Sequence, residues 1–361
     1  MLRMDDSTKG MASNYNSNDD YQAAIAEAGA AQMRQLVADA LMDPARLARS
    51  NQNSVVLCDY GCATGQNSIK VLGSIAQEVC TIEPDTQVTC IHNDLPTNDW
   101  TDFFTALQAD GTYLTDSGGA IPMVSARSFF EPSVPTGTVT LGFSGSAAHW
   151  LSSQPTVKSP GCCYPPLVAG SAGDELRQMA AADWLRFVTA RAADLAPGAR
   201  MQVQCLATNI DEGGHPQPAG GRLLRGVWAV IDGMVSDGLV AQDAADLYVL
   251  AVYPRTTDDF LAPFVDGPVA ESFEVLAHDI ALVSSPYSVK YQSDKDASAY
   301  AKDYTGFVRG FSESSLREHL LHTDALVDEF FERFRVRNEA DPTIDAYDDC
   351  YEMTLQLRRT A

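Results

Sequence analysis

An acidic residue followed by two spaced glycines is the first group of residues that could do chemistry. Asp59 ends the apolar run SVVLCD, and glycines follow at positions 61 and 65. Glycine lets the backbone turn sharply and approach a ligand, and in an open α/β sheet the carboxyl end of a strand faces the ligand crevice. The spacing lacks the G-x-G-x-x-G pattern that cradles a pyrophosphate, and no Walker lysine follows. Glycines needed only for the turn remain an alternative interpretation.

A second acidic residue, Asp94, ends the next apolar run, QVTCIHND, 35 residues after Asp59. In a nucleoside site, this is the position of an acceptor for the ribose hydroxyls. An acid before the first loop disfavours a phosphate there and favours an amine or another cation. S-adenosylmethionine (SAM) carries an amine, a sulfonium and a ribose but no phosphate. The two acids therefore predict SAM as the ligand.

The composition limits the partners of the chain. Its 361 residues are 45% apolar, enough for a sizeable core, and 48 acidic against 25 basic side chains give a formal charge of −23. Such a surface repels phosphate backbones and anionic lipid headgroups, so we expect neither nucleic acid nor a membrane as partner. A pocket for an acid must then be locally neutral or hydrogen-bonding. Solubility is the simpler interpretation of the same charge.

The cysteines and apolar stretches indicate a cellular compartment. The eight cysteines show no CxxC pair, and several stand inside apolar runs, where a free cysteine behaves as a small core residue. No spacing of His, Asp and Glu suggests a metal site. The chain has no apolar stretch of 18 residues and no signal-peptide pattern. These features predict a cytoplasmic, reduced protein that binds no metal.

Apolar periodicity predicts the elements that position the two acids. Up to about residue 210, strands and helices alternate, which indicates an α/β fold with a mostly parallel, Rossmann-like sheet and helices on both faces. The strands are predicted at 54–59, 87–92, 121–125, 138–143 and 201–206. The helices are predicted at 20–42, after Gly65, at 102–109 and at 176–195, with a loop at 152–172.

From about residue 223, the pattern becomes mainly helical. The helices are predicted at 223–236, 241–248, 258–264, 299–322 and 326–338, and the strands at 273–283 and 351–357. Because the helices up to residue 264 have no strands between them, we predict that 211–270 forms a helical cap inserted over the site. The other predicted parts are an N-terminal flap (1–20) and an α/β core (21–210 and 271–361), with 299–322 as a further candidate part of the cap.

Five segments carry a more specific resemblance, in an order and spacing that extend over nearly the whole chain. They are residues 59–67 (DYGCATGQN), 92–100 (HNDLPTNDW), 144–152 (SGSAAHWLS), 196–201 (APGARM) and 234–238 (MVSDG). These resemble the D-L-G-C-S-x-G-x-N, N-D-L-P-x-N-D-F, S-S-Y-S-L-H-W-L-S, V-P-G-G-R-M and M-V-x-E-G motifs of the plant-type (SABATH) carboxyl methyltransferases of salicylate, benzoate and jasmonate. Purine-alkaloid N-methyltransferases are relatives in that family. The resemblance implies a divergent, microbial member with a class I methyltransferase fold that forms a homodimer.

The resemblance also implies residues that contact SAM or its product, S-adenosylhomocysteine. Asp59 and Asn67 would contact the methionine part of SAM, Asp94 the ribose hydroxyls and Leu95 the adenine. The implied cofactor contacts are Tyr15, Asp59, Gly61, Asn67, Asp94, Leu95, Ser128 and Phe129. Asp19 stands where the family has a serine, which is a departure at one cofactor contact.

For the substrate, the resemblance implies that Gln22 and Trp150 hydrogen-bond a carboxylate. The implied pocket residues are Ser146, His149, Trp228 and Phe311. Ser146 replaces a tyrosine of the family, which predicts room for an acid longer or bulkier than salicylate. Without the resemblance, Gln22 would be a solvated polar residue, Trp150 a core residue and His149 the start of a helix.

The predicted reaction needs no general base. A carboxylate has a reference pKa of about 4, so it is ionised and nucleophilic at neutral pH. Alignment with the methyl group and removal of the carboxylate's water can then carry a direct SN2 transfer. Neutral donors suit this role, because a cation would stabilise the ground-state charge that the reaction neutralises. The prediction is an enzyme that forms methyl esters of small apolar acids, aromatic or fatty.

Three alternatives to this function remain open. N-methylation of a small heterocycle would keep the cofactor site and change the polarity of the substrate pocket. A catalytically idle small-molecule binding protein on the same fold would fit the replaced tyrosine at position 146 and the altered segment 250–253 (LAVY). A nicotinamide-dependent dehydrogenase is disfavoured by the missing pyrophosphate glycines.

Overall fold

A computed structural model describes residues 20–49, 53–114 and 119–360 of the chain. The strands in these residues are β1 (Ser54–Tyr60), β2 (Gln87–Asp94), β3 (Ile121–Ala126), β4 (Val139–Gly145), β5 (Leu195–Leu206), β6 (Thr208–Ile210), β7 (Pro216–Pro218), β8 (Phe273–Leu282) and β9 (Tyr351–Arg359). The helices are α1 (Asp20–Leu41), α2 (Pro44–Leu47), α3 (Gln66–Ile82), α4 (Trp100–Leu107), α5 (Gly170–Asp194), α6 (Gly221–Ser236), α7 (Gln242–Leu247), α8 (Thr257–Val265), α9 (Pro286–Asp294), α10 (Ala297–Leu316) and α11 (Asp324–Ala340). None of the described helices combines the length and the apolar character that a membrane span requires.

Seven strands form the main sheet, in the order β3-β2-β1-β4-β5-β9-β8. The first five are parallel, and β9 runs antiparallel to both β5 and β8. This confirms the predicted Rossmann-like α/β fold. The chain builds outward from β1 to β3 and then returns to β4 on the other side of β1. The switch point, where such sheets bind ligands, therefore lies between β1 and β4.

Helices cover both faces of the sheet, because alternate side chains of a strand point to opposite faces. Leu57 of β1 packs in a buried cluster with Met33 of α1 and with residues of α3 and α4. Its neighbour Cys58 packs on the other face, with Trp184 of α5 and Phe260 of α8. The predicted arrangement of helices on both faces is thus confirmed.

A third hydrophobic cluster contains helices that precede β8 in the sequence and helices that follow it. Helices α6, α10 and α11 pack together, and Phe307 and Phe330 lie buried between them. In contrast, Phe260 of α8 packs edge-on against Trp184 of α5, on the sheet. The division predicted from the sequence, with 211–270 as the cap, stays a prediction. The observed packing combines α6 with helices that follow β8.

Two elements begin six residues earlier than predicted. Helix α5 starts at Gly170 instead of 176, because its first residues are small and polar and give no apolar periodicity. Strand β5 starts at Leu195 instead of 201, although a Pro-Gly pair suggested a loop there. Its pairing with β4 shifts register between Val139 and Leu141, and Gly198 has a φ of 81° in this irregular segment. The hairpin of β6 and β7 and the helices α2 and α9 were not predicted, because the hairpin strands and α2 span only three or four residues and α9 is mostly polar.

Candidate active site

The loop after β1 turns so tightly that it needs its two glycines. Gly61 and Gly65 have φ angles of 100° and 96°, in the left-handed region that glycine tolerates. A Cβ atom on Gly61 would lie 2.3 Å from the Cβ of Ala147, and one on Gly65 would lie 2.3 Å from the ring of Phe103. The glycines thus permit both the turn and the close approach of the neighbouring residues. The loop leaves the carboxyl group of Asp59 on the wall of a cavity.

Asp94 holds the loops after β1 and β2 together. Its Oδ2 accepts a hydrogen bond from the N–H of Ala63 at 2.7 Å, and its Oδ1 accepts one from the N–H of Leu95 at 2.7 Å. Asn98 donates from Nδ2 to the carbonyl of Ala63 at 2.7 Å. Since a carboxylate oxygen has two lone pairs, Asp94 fixes the loop and keeps acceptor capacity for a ligand hydroxyl.

The carboxyl group of Asp59 is buried, and that of Asp94 lies near enough for its charge to affect the pKa of Asp59. Burial raises the pKa of Asp59 from 3.8 to about 7; the hydroxyl of Ser68 opposes this rise by hydrogen bonding, and the charge of Asp94 adds to it. Burial likewise raises the pKa of Asp94, and the hydrogen bonds that it accepts from the backbone N–H groups of Leu95 and Ala63 oppose this rise. The Oδ1 atom of Asp59 accepts no hydrogen bond from the described residues. A cation in the adjacent cavity would stabilise both carboxylates.

The acidic cavity lies between the loop after β1, the start of α3 and the end of β4. The predicted cofactor residues that line it are Asp59, Gly61 and Asn67. The ring of Phe129 approaches this wall, 3.5 Å from the position of a Cβ on Gly61. Leu95 and Ser128 lie on the loops after β2 and β3. Tyr15 and Asp19 lie outside the described residues.

The apolar cavity lies between the loop after β4 and helices α6 and α10. Most of its walls are apolar side chains, which include Leu206, Leu223, Leu224, Leu250, Val252 and Phe307. The residues predicted for substrate binding that line it are Gln22, Ser146, His149, Trp150 and Phe311. Trp228, also predicted as a pocket residue, packs partly buried on the cluster of α6, α10 and α11.

The two cavities meet at Gln22 and Ser146, which line both of them. Three buried polar atoms at this junction find no hydrogen-bond partner in the part of the chain that the structure describes: Gln22 Oε1, Ser146 Oγ and Trp150 Nε1. A buried polar atom without a partner costs free energy, so the group indicates a polar ligand at the junction. The Trp150 indole N–H and the Nε2–H of the Gln22 amide are neutral donors suited to a carboxylate, whereas Gln22 Oε1 can only accept a hydrogen bond.

His149 is neutral where it lines the apolar cavity. Its Nδ1 accepts the N–H of Leu206 at 3.3 Å, which places the ring proton on Nε2. Burial, together with a smaller effect of the charge of Arg255, lowers the pKa of His149 to about 3. Arg255 also fixes this loop, because it donates to the carbonyl of Ala148 at 2.8 Å. His149 is therefore a weak proton acceptor at neutral pH.

Sequence reasoning missed Arg191 of α5, which supports the acidic cavity from behind. Its guanidinium donates to the carbonyl of Phe129 at 2.7 Å and to Asp194 at 2.8 Å, and it lies 3.8 Å from the centre of the Tyr60 ring. Arg191 is fully buried and follows Phe187 on the apolar face of α5 by four positions. That position inside an apolar stripe is the signal that could have identified it.

Comparison with known proteins gives these cavities a context. A family model described as "SAM dependent carboxyl methyltransferase" matches residues 3–360 of the chain. A solved structure, loganic acid methyltransferase with S-adenosylhomocysteine, superposes with a TM-score of 0.78 over 98% of this chain and 99% of the other, at 18% identity. This similarity confirms the predicted class I methyltransferase fold.

The similar curated proteins include three O-methyltransferases. O-methyltransferase acrG of Aspergillus aculeatus is 24% identical over 227 residues, which are 62% of this chain and 59% of that protein. Indole-3-acetate O-methyltransferase 1 of Arabidopsis thaliana is 28% identical over 236 residues, 56% of this chain and 58% of that protein. Jasmonate O-methyltransferase of Arabidopsis thaliana is 21% identical over 334 residues, 82% of this chain and 85% of that protein. The chain thus spans less than two thirds of the first two relatives.

Proposed function

The chain belongs to the family of SAM-dependent carboxyl methyltransferases, and from this premise we propose that it transfers the methyl group of SAM to the carboxylate of a small, largely apolar acid. The observation that carries the proposal is the junction of the two cavities, where Gln22 and Ser146 line both. A methyl donor in the acidic cavity and an acid in the apolar cavity would meet there.

The acidic cavity fits SAM by its charge and its hydrogen-bonding capacity. Asp59 Oδ1, which accepts no hydrogen bond from the described residues, would accept the amine of the methionine part. Asp94 retains lone pairs for the ribose hydroxyls, and Phe129, beside Gly61, would lie along the cofactor. Asn67 lines the same cavity. SAM supplies an electrophilic methyl group when bound, and the product is S-adenosylhomocysteine.

At the acid end, the chain would orient a nucleophile that is already charged. The Trp150 indole N–H and the Gln22 amide would replace the water around the carboxylate with two neutral donors. The attacking carboxylate oxygen needs no proton removed, so no side chain has to act as a base. The low pKa of His149, about 3, supports this part of the proposal, because such an imidazole is a poor base at neutral pH.

The walls of the apolar cavity support an acid with one carboxylate and an apolar remainder. None of the described residues that line this cavity is an aspartate, glutamate, lysine or arginine. Burying a second charge there would be costly without a partner. Two relatives are named for indole-3-acetate and jasmonate, which are acids of this kind. We extend that class to this chain, as aryl-aliphatic or fatty acids.

A labelling experiment tests the proposed function. The pure protein is incubated with methyl-labelled SAM and a panel of aromatic, aryl-aliphatic, fatty and terpenoid acids, and the labelled products are treated with mild base. We expect base-labile methyl esters from one class of acid. Base-stable products would favour N-methylation, and SAM binding without turnover of any acid or heterocycle would favour a binding protein.

Mass spectra of the esters then define the acid. The small side chain at Ser146 leads us to expect an acid longer or bulkier than salicylate, and salicylate as the best substrate would contradict that expectation. A homodimer and a cytoplasmic location, suggested by the resemblance and the composition, remain predictions that sedimentation and cell fractionation can test.

A further inference from the structure

A buried chain of polar groups leads from Tyr113, in the segment after α4, toward Asp59. The hydroxyl of Tyr113, in the segment after α4, lies 2.8 Å from Nε2 of His92. The Nδ1 atom of His92, on β2, lies 2.7 Å from Oγ of Ser68 on α3. Ser68 also lies beside Asp59 at the end of β1, where its hydroxyl opposes the raised pKa of the Asp59 carboxyl group by hydrogen bonding. His92 is fully buried, and Tyr113 is 7% exposed.

The chain has two possible orders of its protons. Burial lowers the pKa of His92 to about 3, so the ring is neutral and carries one proton. Ser68 and Tyr113 each have one hydroxyl proton to donate. In the first order, Tyr113 donates to Nε2, Nδ1–H donates to Ser68, and Ser68 donates to Asp59. In the second order, every bond is reversed, and Ser68 gives its proton to His92 instead of Asp59.

We propose that Tyr113, His92 and Ser68 form a positioning relay that holds Asp59 as an oriented carboxylate for the amine of SAM. Tyr113 selects the Nδ1–H tautomer of His92, and this tautomer leaves the Ser68 proton free for Asp59. The unpartnered oxygen Oδ1 then faces the ligand. The relay rests on the proposed function, because its purpose is to prepare Asp59 for SAM.

The surroundings of Asp59 explain why a relay is needed. The titratable groups around Asp59 are Asp94, at the end of β2, and the thiols of Cys58 and Cys62. Burial raises the pKa of both thiols well above their ordinary value, so they stay neutral. Burial and the charge of Asp94 raise the pKa of Asp59, and the Ser68 hydrogen bond opposes the rise. Among the described groups, Ser68 therefore supports the charged form of Asp59. His92 determines whether the hydroxyl proton of Ser68 points to Asp59.

The geometry of His92 fits a fixed tautomer. Its ring lies nearly parallel to that of Tyr113, at an interplanar angle of 6° with the centroids 6.1 Å apart, and the phenol oxygen lies 2.8 Å from Nε2. Phe103 of α4 packs against the same imidazole ring, with the centroids 4.9 Å apart. Both contacts restrict rotation of the imidazole. Because the ring cannot flip, the two tautomers can exchange only if the direction of each hydrogen bond in the chain is reversed.

The test compares binding of SAM by the full chain and its variants across pH 5.5–8.5 by calorimetry. Ser68→Ala removes the donor to Asp59, and we expect about tenfold weaker binding near pH 7, since a hydrogen bond to a charged group is lost. Tyr113→Phe removes the hydroxyl that selects the Nδ1–H tautomer of His92, and it should weaken SAM binding about threefold. In both variants, the deficit should shrink as the pH rises. The ratio to the wild type is taken at each pH, so that titration of the SAM amine cancels.

Tyr304→Phe is the matched control. Tyr304 donates its hydroxyl to the carbonyl of Asp345 at 2.7 Å, in the cluster of α6, α10 and α11. This variant also loses one buried tyrosine hydrogen bond, and it should bind SAM as the wild type does at every pH. Nitrogen-15 NMR of labelled histidine, assigned with a His92→Gln variant, should show His92 protonated on Nδ1 in the wild type. Tyr113→Phe should shift that signal toward a mixture of tautomers.

The outcomes separate the relay from the function on which it rests. If the wild type binds no SAM at any pH, the proposed function fails, whatever the state of His92. If the wild type binds SAM but both relay variants keep its affinity and its pH profile, the relay fails. An Nε2–H tautomer of His92 in the wild type would also overturn it, because Ser68 would then donate away from Asp59.

Discussion

The acidic and the apolar cavities meet at one junction but are built by different means. The acidic cavity is formed by loops of the first half of the chain, which are fixed by glycine turns and by the hydrogen bonds of Asp94. The apolar cavity takes its walls from side chains of β5, α6, the 250–252 segment and α10. The acidic cavity therefore holds polar groups in fixed positions. The apolar cavity provides an apolar surface for a ligand of complementary shape. We expect the proposed cofactor site to depend on charge, and the proposed acid site on an apolar shape with a few neutral hydrogen-bond donors at the junction. Each prediction below tests that difference.

The largest expected effect is that of Asp59→Asn on the acidic cavity. The substitution keeps the size of the side chain and removes the charge for the SAM amine, so we expect SAM binding about a hundredfold weaker by calorimetry. The pKa of Asp59 rises from 3.8 to about 7 on folding, so the charged form of this group destabilises the free protein as the pH rises from about 4 to 7. The variant should therefore melt at a higher temperature than the wild type at pH 8, but not at pH 4. A lower melting temperature at pH 8 would contradict this account.

Trp150→Phe tests the junction from the side of the acid. Loss of the indole N–H removes one donor to the carboxylate, and we expect kcat about thirtyfold lower with SAM affinity unchanged. Steady-state kinetics and calorimetry measure the two quantities. Trp228→Phe is the control, since Trp228 is not among the described residues that line the apolar cavity, and it should change kcat less than about twofold. Equal losses in the two variants would show that Trp150 acts only through packing.

The pH dependence of SAM binding tests whether charge governs the acidic cavity. Only ionised Asp59 attracts the amine, and its pKa in the free protein is about 7. The affinity should therefore rise about tenfold between pH 6 and 7.5 and then level off. Asp59→Asn should abolish this rise. A flat profile in the wild type would mean that Asp59 is already ionised at pH 6.

The smallest expected effect is that of Ser146→Ala at the junction. The Oγ atom of Ser146 has no partner within the described ranges, so its removal costs the free protein no hydrogen bond. We expect kcat/KM to fall about threefold, the value of one neutral hydrogen bond to the bound ligands. A loss larger than that of Trp150→Phe would move the main carboxylate donor from Trp150 to Ser146.

Local sequence patterns predicted the acidic cavity well. Asp59 and Asp94 each end an apolar run, and parallel strands bring their carboxyl ends to one edge of a sheet, so pattern and topology together place the two acids side by side. The glycines at 61 and 65 were assigned to the turn, and their φ angles confirm that assignment. Such features can be predicted because each depends on a few neighbouring residues.

The apolar cavity was harder to predict from the sequence. Trp228 and Phe311 both stand on helices, and no local pattern distinguishes a helix face that lines a cavity from one that packs on another helix. In the structure, both side chains pack partly buried on the helical cluster, and Phe311, unlike Trp228, is among the described residues that line the cavity. For Arg191, the apolar stripe of α5 could have indicated burial, but it could not have indicated the contact with Phe129, which lies on the loop after β3.

The sequence by itself determined the order of the main strands and helices, the family, and the acidic residues and glycines of the loops after β1 and β2. Each of these depends on short segments, in which the spacing of residues indicates the local backbone conformation. Only the tertiary structure decided that Gln22 and Ser146 lie on a shared wall, that helices after β8 join α6, and that Tyr113 reaches His92. Those contacts join residues far apart in the chain, and their positions depend on how whole faces pack rather than on any local pattern.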